Sequence, residues 1–274
     1  MKGHVQHIDT APVVPKAAYD VVGDVHGCWD ELRDLLELAG WQIEPADLSP
    51  GCPDPIGAAH PQGRHLVFAG DLTDRGPRSD LVLRLAFGMM AAGTASWVIG
   101  NHDWKLARYL RGNPVKVAGG LAETLEQITP CGQGFMDGVR EAIFALPYQL
   151  RLPMPPEHPR AGDGVMTVVH GAAPAHHLDG GQDNSFERSI YGYAEGRADD
   201  GSIIRRNWAA DYGGERWIVH GHEPHGRVTI QNRVIAIDTA CVFGNHLSLY
   251  RADACVALAV PARANHSGKV RSFY

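Results

Sequence analysis

The chain has 274 residues, of which 44% are hydrophobic and 20% charged, and its formal net charge is −6. These values exclude an intrinsically disordered chain and argue against a protein that coats nucleic acid through a broad basic surface. The 15 histidines are roughly twice the number that average composition gives for this length. Because histidine is the commonest metal ligand and a proton donor near neutral pH, metal-dependent chemistry is the first hypothesis to test.

The five cysteines are scattered along the chain and form no C-x-x-C pair. An odd, scattered set predicts neither a disulfide framework nor a cysteine-based zinc site, and a reducing compartment fits it better. The first residues contain no apolar stretch of the kind found in signal peptides, and no run of about 18 apolar residues follows. We therefore expect a cytoplasmic protein with no membrane partner.

The spacing of apolar residues predicts the secondary structure. Residues 1–17 contain two prolines and little periodicity, and we interpret them as a loose leader before a single domain at residues 18–274. Short apolar runs then alternate with amphipathic segments. In chain order, the predicted elements are a strand at 19–22, a helix at 29–39, a strand at 66–69, a helix at 79–92 and a strand at 97–99. This alternation predicts a parallel sheet with crossover helices.

The remainder of the chain changes from helices to strands. Residues 42–63 and 153–164 are rich in proline and glycine and are predicted loops, whereas residues 103–145 are predicted to be mainly helical with a break near residues 130–134. Beyond residue 164, strands are predicted at 165–169, 217–219, 234–237, 247–250 and 256–260. We expect these strands to form a second sheet that packs on the first within one α/β domain.

Polar side chains follow glycine where the predicted strands end. Three segments show this pattern, with the sequences GDVHG at 23–27, GDLTDRG at 70–76 and GNHD at 100–103. Two later strands end in His170-Gly171 and in His220-Gly221-His222. Open α/β sheets bind ligands at the carboxyl ends of their strands, and glycine allows the sharp turns that bring side chains together there. Carboxylate, imidazole and amide groups without a thiolate suit Mn, Fe, Zn or Co.

These five blocks, in this order, resemble the calcineurin-like metallophosphoesterase superfamily. The D-R-G extension resembles the serine/threonine phosphoprotein phosphatase branch. Within that branch, the chain is most similar to the phosphatase module of bacterial polynucleotide kinase–phosphatase enzymes and to stand-alone bacterial relatives, which share segments like NHDWKLARYLRG, GLAETLEQI, WAADY and IDTACVFG. The resemblance covers roughly residues 19–251. It implies two mixed sheets packed as a sandwich flanked by helices, with the active site at the C-terminal ends of strands.

The resemblance also implies a centre of two divalent metal ions, manganese first, with iron, zinc, cobalt or nickel as alternatives. The implied metal ligands are Asp24 and His26 on one metal, Asp71 as the bridging carboxylate, and Asn101, His170 and His222 on the second. The charges support this set. Two divalent ions, two aspartates and a bridging hydroxide leave one net positive charge, which attracts a phosphate dianion.

Four residues match catalytic positions of the family. Arg75 matches an arginine that grips phosphate oxygens, and Arg205 fits a second such arginine, with Arg206 as its rival. His102 matches the general acid that protonates the leaving oxygen, and Asp74 the carboxylate that orients it. The implied mechanism is in-line attack on phosphorus by a hydroxide that bridges the two metals, without a covalent phosphoenzyme.

Three other residues near the blocks need separate interpretation. Asp238 corresponds to an acidic position of similar enzymes and is expected to support the ligands without touching a metal. His220 lies two residues before a predicted ligand, and we expect a structural role for it. His225 lies three residues after the predicted ligand His222. The wider superfamily has a histidine two residues after the equivalent ligand, so we leave His225 out of the ligand set.

Three functions compete. The first is hydrolysis of phosphomonoesters, either phosphoprotein or the phosphate of a nucleotide or RNA end. The alternative is a bis(5′-nucleosyl)-tetraphosphate hydrolase, against which the WAADY and IDTACVFG segments argue. A non-catalytic metal scaffold is disfavoured by His102, Asp74 and Arg75 together. The phosphorylated substrate is the expected partner. The sequence contains no kinase P-loop, and we expect a monomer without a stable nucleic-acid partner.

Overall fold

The computed structural model describes residues 18–180, 184–197 and 203–268. The predicted leader at 1–17 therefore lies outside the described residues. The helices are α1 (Trp29–Leu38), α2 (Ser79–Ala91), α3 (Asn101–Leu110), α4 (Leu121–Ile128), α5 (Gln133–Ala145) and α6 (Ser185–Tyr191). The strands are β1 (Tyr19–Val22), β2 (Gln42–Ile43), β3 (Ala58–Ala59), β4 (His65–Phe68), β5 (Ala95–Trp97), β6 (Gln149–Pro153), β7 (Val165–Val169), β8 (Ala194–Arg197), β9 (Ile203–Arg205), β10 (Trp217–His220), β11 (Thr229–Gln231), β12 (Val234–Ala236), β13 (His246–Arg251) and β14 (Val256–Pro261).

The first sheet contains the N-terminal strands and has the order β14-β13-β1-β4-β5. Strands β1, β4 and β5 are parallel, with Val21 opposite Val67 and Val67 opposite Ser96. The connections between them carry α1 and α2, as the alternating pattern predicts. The C-terminal strands β13 and β14, which we expected in the second sheet, instead extend this first sheet in antiparallel pairing on the other side of β1. That expectation was wrong because apolar runs identify strands but not their pairing partners.

The second sheet has the order β11-β12-β10-β7-β6. Its three central strands are again parallel, with Val219 of β10 opposite Val168 of β7 and Ile235 of β12. The outer strands β6 and β11 pair antiparallel with their neighbours. Both sheets are therefore mixed, and each has parallel strands at its centre whose carboxyl ends share one edge.

The alternating direction of side chains along each strand explains how the two sheets pack on each other and on the helices. Val21 and Val67 of the first sheet pack with Val168 and Val219 of the second in one buried cluster. The next residue of β1, Val22, points the other way and packs in a larger cluster with the apolar faces of helices α1 to α5. The predicted α/β fold, with two mixed sheets packed together and flanked by helices, is confirmed.

Several predicted boundaries differ from the structure. The third strand covers residues 95–97 rather than 97–99, so the chain is already turning when it reaches the GNHD block. The predicted loop at 42–63 contains the short pair β2 and β3. Strands β6, β8, β9 and β11 and helix α6 were not predicted. The four residues of β8, with the sequence AEGR, are all exposed and include no large apolar side chain, so the strand lacks the apolar signal on which the prediction depends.

Two further expectations concern cysteines and membranes. All five cysteines lie within the described residues as free thiols. Among the helices of the described residues, none combines the length and the apolar character that a membrane span requires.

A buried ion-pair network fixes the edge of the first sheet opposite the strand ends. Asp20 in β1 is fully buried and accepts hydrogen bonds from Arg64 Nε at 3.0 Å, Arg251 Nε at 2.9 Å and Trp41 Nε1 at 3.0 Å. Arg64 also binds the carboxylate of Asp253. Burial raises the pKa of Asp20, but the hydrogen bonds from Arg251, Arg64 and Trp41 more than offset it, so the pKa is lowered.

We expect Asp20→Asn to lower the free energy of unfolding by about 3–5 kcal/mol, because the variant removes the buried negative charge that Arg64 and Arg251 share. Urea denaturation measures this loss. The matched control is Asp137→Asn, whose partly exposed pair with Arg140 is expected to contribute about 1 kcal/mol or less. The pKa of Asp20 is lowered in the folded protein. The ionised carboxylate therefore contributes to the free energy of unfolding at neutral pH, and this contribution is lost as the pH falls through the folded pKa. Equal losses in the two variants at pH 7 would contradict this account.

Candidate metal centre

The six predicted metal ligands lie at the carboxyl ends of the central strands of both sheets. They are Asp24 and His26 after β1, Asp71 after β4, Asn101 at the start of α3, His170 after β7 and His222 after β10. Four of them, Asp24, His26, Asp71 and His170, are at least 96% buried. The structure thus brings together side chains that are up to 198 residues apart in the sequence.

One group of ligand atoms converges on His170. Its Nε2 lies 3.3 Å from Asp71 Oδ2, 3.2 Å from Asn101 Oδ1 and 3.1 Å from His222 Nδ1. With metal–nitrogen bonds of about 2.0–2.1 Å, two ligands of one cation lie on the order of 3 Å apart. The spacing of these four donor atoms therefore fits one shared divalent cation.

A second group contains His26, whose Nε2 is 3.7 Å from the same Asp71 Oδ2. The carboxylate of Asp24, expected beside His26, instead has its contacts with the first group: it accepts the backbone N–H of His222 at 3.1 Å, and its Oδ1 lies 3.9 Å from His170 Nδ1. Ligand atoms of Asp71, His26 and His102 lie within 4.8 Å of one another, as do those of Asp71, His170 and His222. Asp71 is common to both groups, which is the position that a bridging carboxylate occupies.

The backbone fixes the orientation of two of the imidazoles. His26 Nδ1 lies 2.8 Å from the carbonyl of Thr73, and His170 Nδ1 lies 2.9 Å from the carbonyl of Ala69. A carbonyl only accepts, so in each ring Nδ1 carries a proton and Nε2 is the nitrogen that faces the centre. Metal-binding histidines are usually held in this way.

The electrostatics of the centre favour cations. Burial alone would lower the pKa of His170, but the negative charges of Asp71 and Asp24 raise it to about 10. Burial, followed by the charge of Asp238, raises the pKa of Asp24 well above its usual value. Carboxylates crowded in a buried space are stabilised when positive charge is bound between them, so the donor set and its charges fit two divalent cations.

Tight backbone turns bring the ligands this close. A Cβ on Gly70 would lie 2.6 Å from His170 Nδ1, and one on Gly221 would lie 2.1 Å from Asp24 Oδ1. The ligands His26, Asp71 and His222 themselves have φ values of 47°, 50° and 64°. Such left-handed conformations are costly outside glycine and cluster at functional sites.

Asp103 is a buried carboxylate that sequence reasoning did not single out. Its Oδ2 accepts the backbone N–H groups of Asp71 at 2.8 Å and Gly100 at 2.9 Å, and its Oδ1 accepts that of Leu72 at 3.0 Å. It therefore ties the end of β4 to the start of α3. Burial, followed by the charge of Asp71, raises its pKa to about 7. Its place in the first turn of a helix after glycine is a capping signal that could have identified it.

Two arginines reach the centre. Arg75 places Nη1 2.8 Å from His26 Nε2 and Nη2 2.8 Å from His102 Nε2. Arg205 at the end of β9 places Nη1 2.7 Å from His222 Nε2. Arg206, the alternative candidate for the second phosphate-binding arginine, instead binds the exposed carboxylate of Asp211 through Nε at 2.9 Å and Nη2 at 2.6 Å.

His102 lies beside the centre with its carboxylate partner. His102 Nδ1 is 2.6 Å from Asp74 Oδ2, and Thr124 Oγ1 donates to Asp74 Oδ1 at 3.0 Å. Sequence reasoning missed Lys105, whose Nζ lies 2.5 Å from Asp74 Oδ2. Lys105 is three residues after His102 on one face of α3, and this spacing could have suggested the contact.

Two of the remaining predicted residues lie behind the ligands. Asp238 is 95% buried, and its Oδ1 accepts the backbone N–H of Ala240 at 2.9 Å. His220 packs its ring against Trp208 with a centroid separation of 5.2 Å. Burial lowers the pKa of His220 to about 3, so this ring is a neutral part of the packing at neutral pH.

Comparisons with known proteins agree with this centre. Residues 19–227 match the family of calcineurin-like phosphoesterases. The bis(5′-nucleosyl)-tetraphosphatase PrpE [asymmetrical] of Bacillus subtilis (strain 168) is 38% identical over 246 residues, which cover 89% of this chain and 95% of that protein. The protein of the same name from Bacillus velezensis is 39% identical over 235 residues, 85% of this chain and 88% of that protein.

Solved structures show the same fold. A protein assigned as a diadenosine tetraphosphatase superposes with a TM-score of 0.58 at 21% identity, over 92% of this chain and 98% of that one. A serine/threonine phosphatase from Saccharomyces cerevisiae superposes with a TM-score of 0.56 at 14% identity, over 95% of this chain and 85% of that one.

The fold, the ligand geometry and the family match define a metallophosphoesterase. The chain belongs to the calcineurin-like phosphoesterase family, and it is a hydrolase that acts on phosphoric ester bonds. The family resemblance inferred from the five sequence blocks is confirmed.

Proposed function

We propose that this phosphoesterase hydrolyses bis(5′-nucleosyl) tetraphosphates asymmetrically, with phosphomonoesters as a second substrate class. The observation that carries the proposal is the similarity to PrpE tetraphosphatases, which extends over nearly the whole length of both chains. The WAADY and IDTACVFG segments, which argued against this substrate class, therefore occur in a chain whose relatives are named tetraphosphatases. Phosphomonoesters remain a candidate because the same ligands, acid and arginines suit them.

We propose Asp24, His26, Asp71, Asn101, His170 and His222 as the ligands of two divalent cations, with manganese as the first choice. Bound there, the cations would polarise phosphoryl oxygens and lower the pKa of a water molecule. Their positive charge would also attract the anionic substrate to the buried edge where both sheets end. Asp238 would hold the turn behind these ligands through its hydrogen bond to Ala240.

The side chains around the ligands supply the rest of the reaction. Arg75 and Arg205 would bind non-bridging phosphoryl oxygens and hold the reacting phosphorus in line with the incoming water. His102 would protonate the leaving oxygen through Nε2 once substrate phosphate takes the Arg75 guanidinium that donates to this nitrogen here, while Asp74 holds the opposite ring nitrogen. Water supplies a hydroxyl group to phosphorus and a proton to the leaving phosphate. Asymmetrical cleavage of a tetraphosphate then yields a nucleoside monophosphate and a nucleoside triphosphate.

The oligomeric state, the cellular location and the domain organisation of the enzyme are proposals as well. We propose a monomeric cytoplasmic enzyme with one domain over residues 18–274 and without a stable nucleic-acid partner. The free thiols support the location in the cytoplasm, and the negative net charge argues against a nucleic-acid partner.

A substrate panel with the manganese-loaded protein tests the proposed function. It contains diadenosine tetraphosphate, a phosphoserine peptide, a 3′-phosphate nucleotide, a 2′,3′-cyclic nucleotide and p-nitrophenyl phosphate. We expect the highest kcat/KM for diadenosine tetraphosphate, with AMP and ATP as products on anion-exchange chromatography, and slower turnover of p-nitrophenyl phosphate. Two ADP molecules as the products, or a higher kcat/KM for the phosphopeptide, would overturn the proposed substrate.

A further inference from the structure

A cavity of about 290 Å³ lies on the outer face of the second sheet, where Trp208 and Tyr212 pack in one cluster with Ile218. Its wall contains the aromatic rings of Tyr193, Trp208 and Tyr212, with His176 and Arg206 among the other lining residues. Trp208 and Tyr212 are buried and pack edge to face, with ring centroids 6.1 Å apart. The cavity therefore has an aromatic interior held in a fixed arrangement.

The cavity is joined to the centre through consecutive residues. Arg205 reaches His222, whereas the next residue, Arg206, lines the cavity. The backbone N–H of Arg206 donates to the carbonyl of Tyr193 at 3.1 Å, which holds the cavity wall against the strand that carries Arg205. Gly192, the residue before Tyr193, lies against the centre, since a Cβ on it would be 3.7 Å from His222 Cδ2 and 3.9 Å from Arg205 Nη1. Adjacent Cα atoms are about 3.8 Å apart, so a ligand whose phosphate lies at Arg205 can place a group several bonds away in the cavity beside Tyr193.

The lining favours a flat, neutral ring over another phosphate. Arg206 already binds Asp211, so much of its charge is neutralised within the cavity wall. Arg188 lies over one face of Tyr193, with Cζ 4.2 Å from the ring centroid, and so stabilises the orientation of that ring. Aromatic rings and arginine planes are the surfaces on which unpaired bases stack. The volume is at the lower end of ligand pockets, which suits one base and not a whole dinucleotide.

We propose that this cavity binds one nucleobase of the substrate, stacked on Tyr193, while the phosphate chain runs past Arg205 to the metal centre. The inference rests on the proposed function, since it names where that substrate places one of its bases. Tyr193 is then a specificity residue, because it distinguishes nucleoside polyphosphates from phosphoesters that lack a base.

Photo-crosslinking with 8-azidoadenosine 5′-triphosphate locates the base in the manganese-loaded full chain. We expect mass spectrometry to find the label on peptides that contain Tyr193, Trp208 or Tyr212, and excess diadenosine tetraphosphate to suppress it. Labelling concentrated on α3 or elsewhere outside the cavity would overturn the proposal. This measurement needs no turnover, so its result is independent of whether the tetraphosphate is hydrolysed.

Steady-state kinetics provide the second measurement. Tyr193→Ala is expected to raise the KM for diadenosine tetraphosphate about tenfold, within the range that one stacked base contributes, with kcat unchanged. The matched variant Tyr193→Phe keeps the ring and should behave as the wild type. The KM for tripolyphosphate, which lacks a base, should not respond to either variant. If the wild type hydrolyses diadenosine tetraphosphate and Tyr193→Ala leaves its KM unchanged, the cavity proposal fails while the proposed function stands. If the wild type does not hydrolyse it, the proposed function fails.

Discussion

Asp71→Asn is expected to reduce turnover by more than about 10³-fold and to abolish binding of both metal ions. Loss of a residue that only supports metal ligands typically costs about 10–100-fold, and Asp71 lies between both ligand groups. Asparagine keeps the shape and the oxygen that accepts the backbone N–H of His102, whose distance from Asp71 Oδ1 is 2.8 Å. The variant should therefore fold normally while it lacks the negative charge that the two cations share.

Elemental analysis and turnover of diadenosine tetraphosphate measure the effect of Asp71→Asn. Circular dichroism confirms that the variant is folded. The matched control is Asp163→Asn, which removes a carboxylate that pairs with Arg216 away from the centre. A variant at Asp71 that retained two metal ions and more than about one-hundredth of the turnover would contradict a bridging role.

His102→Ala is expected to slow turnover about 10²–10⁴-fold, the range for loss of a positioned general acid, while both metal ions stay bound. The structure places His102 Nδ1 on Asp74 and its Nε2 beside Arg75, so the ring is oriented with one nitrogen towards the space where substrate phosphate would lie. The effect should depend on the leaving group. A phosphoserine peptide, whose alkoxide needs a proton, should lose more rate than p-nitrophenyl phosphate, whose leaving group is a weak base.

His60→Gln is the matched control for His102→Ala. His60 lies beside Trp41 and the carbonyl of Ala39, at the end of α1 away from the ligands, and its replacement should leave kcat unchanged. If His102→Ala slowed both substrates equally and also lost metal, His102 would belong to the metal site and not to proton transfer.

The position of the metal centre could be predicted because its residues follow a simple rule. Five of the six parallel strands in the described residues, all but β12, are followed by a glycine next to a polar residue, and parallel strands end at one edge. Asp24 and Asp71 are examples, since each follows a buried apolar strand and a glycine. The α/β class and the presence of two sheets could be predicted for the same reason, because the buried strands carry a strong apolar signal. The position of β13 and β14 in the first sheet could not, because it depends on strand pairing and not on the pattern of each strand.

Other features depend on contacts that no local pattern encodes. Arg205 and Arg206 are neighbours with identical side chains, and only the alternation of β9 decides which one faces His222. The pair β8 and β9 is largely exposed and carries little apolar periodicity, so the strand that supplies Arg205 was not predicted.

The aromatic cavity was not predicted either. It combines Tyr193 with a segment that begins more than ten residues later, and the contact depends on how two loops pack on the outer face of the second sheet. Asp103 and Lys105 were missed because each acts on a neighbour of the ligands and not on the centre itself.

Metal stoichiometry measured together with turnover tests the central claim most directly. Apoprotein prepared with a chelator is titrated with manganese, and bound metal and hydrolysis of diadenosine tetraphosphate are measured in the same samples. We predict two bound equivalents, with no turnover in the apoprotein and full turnover only as the second equivalent binds. Full activity in the metal-free protein or at a single bound equivalent would contradict a binuclear metallophosphoesterase centre.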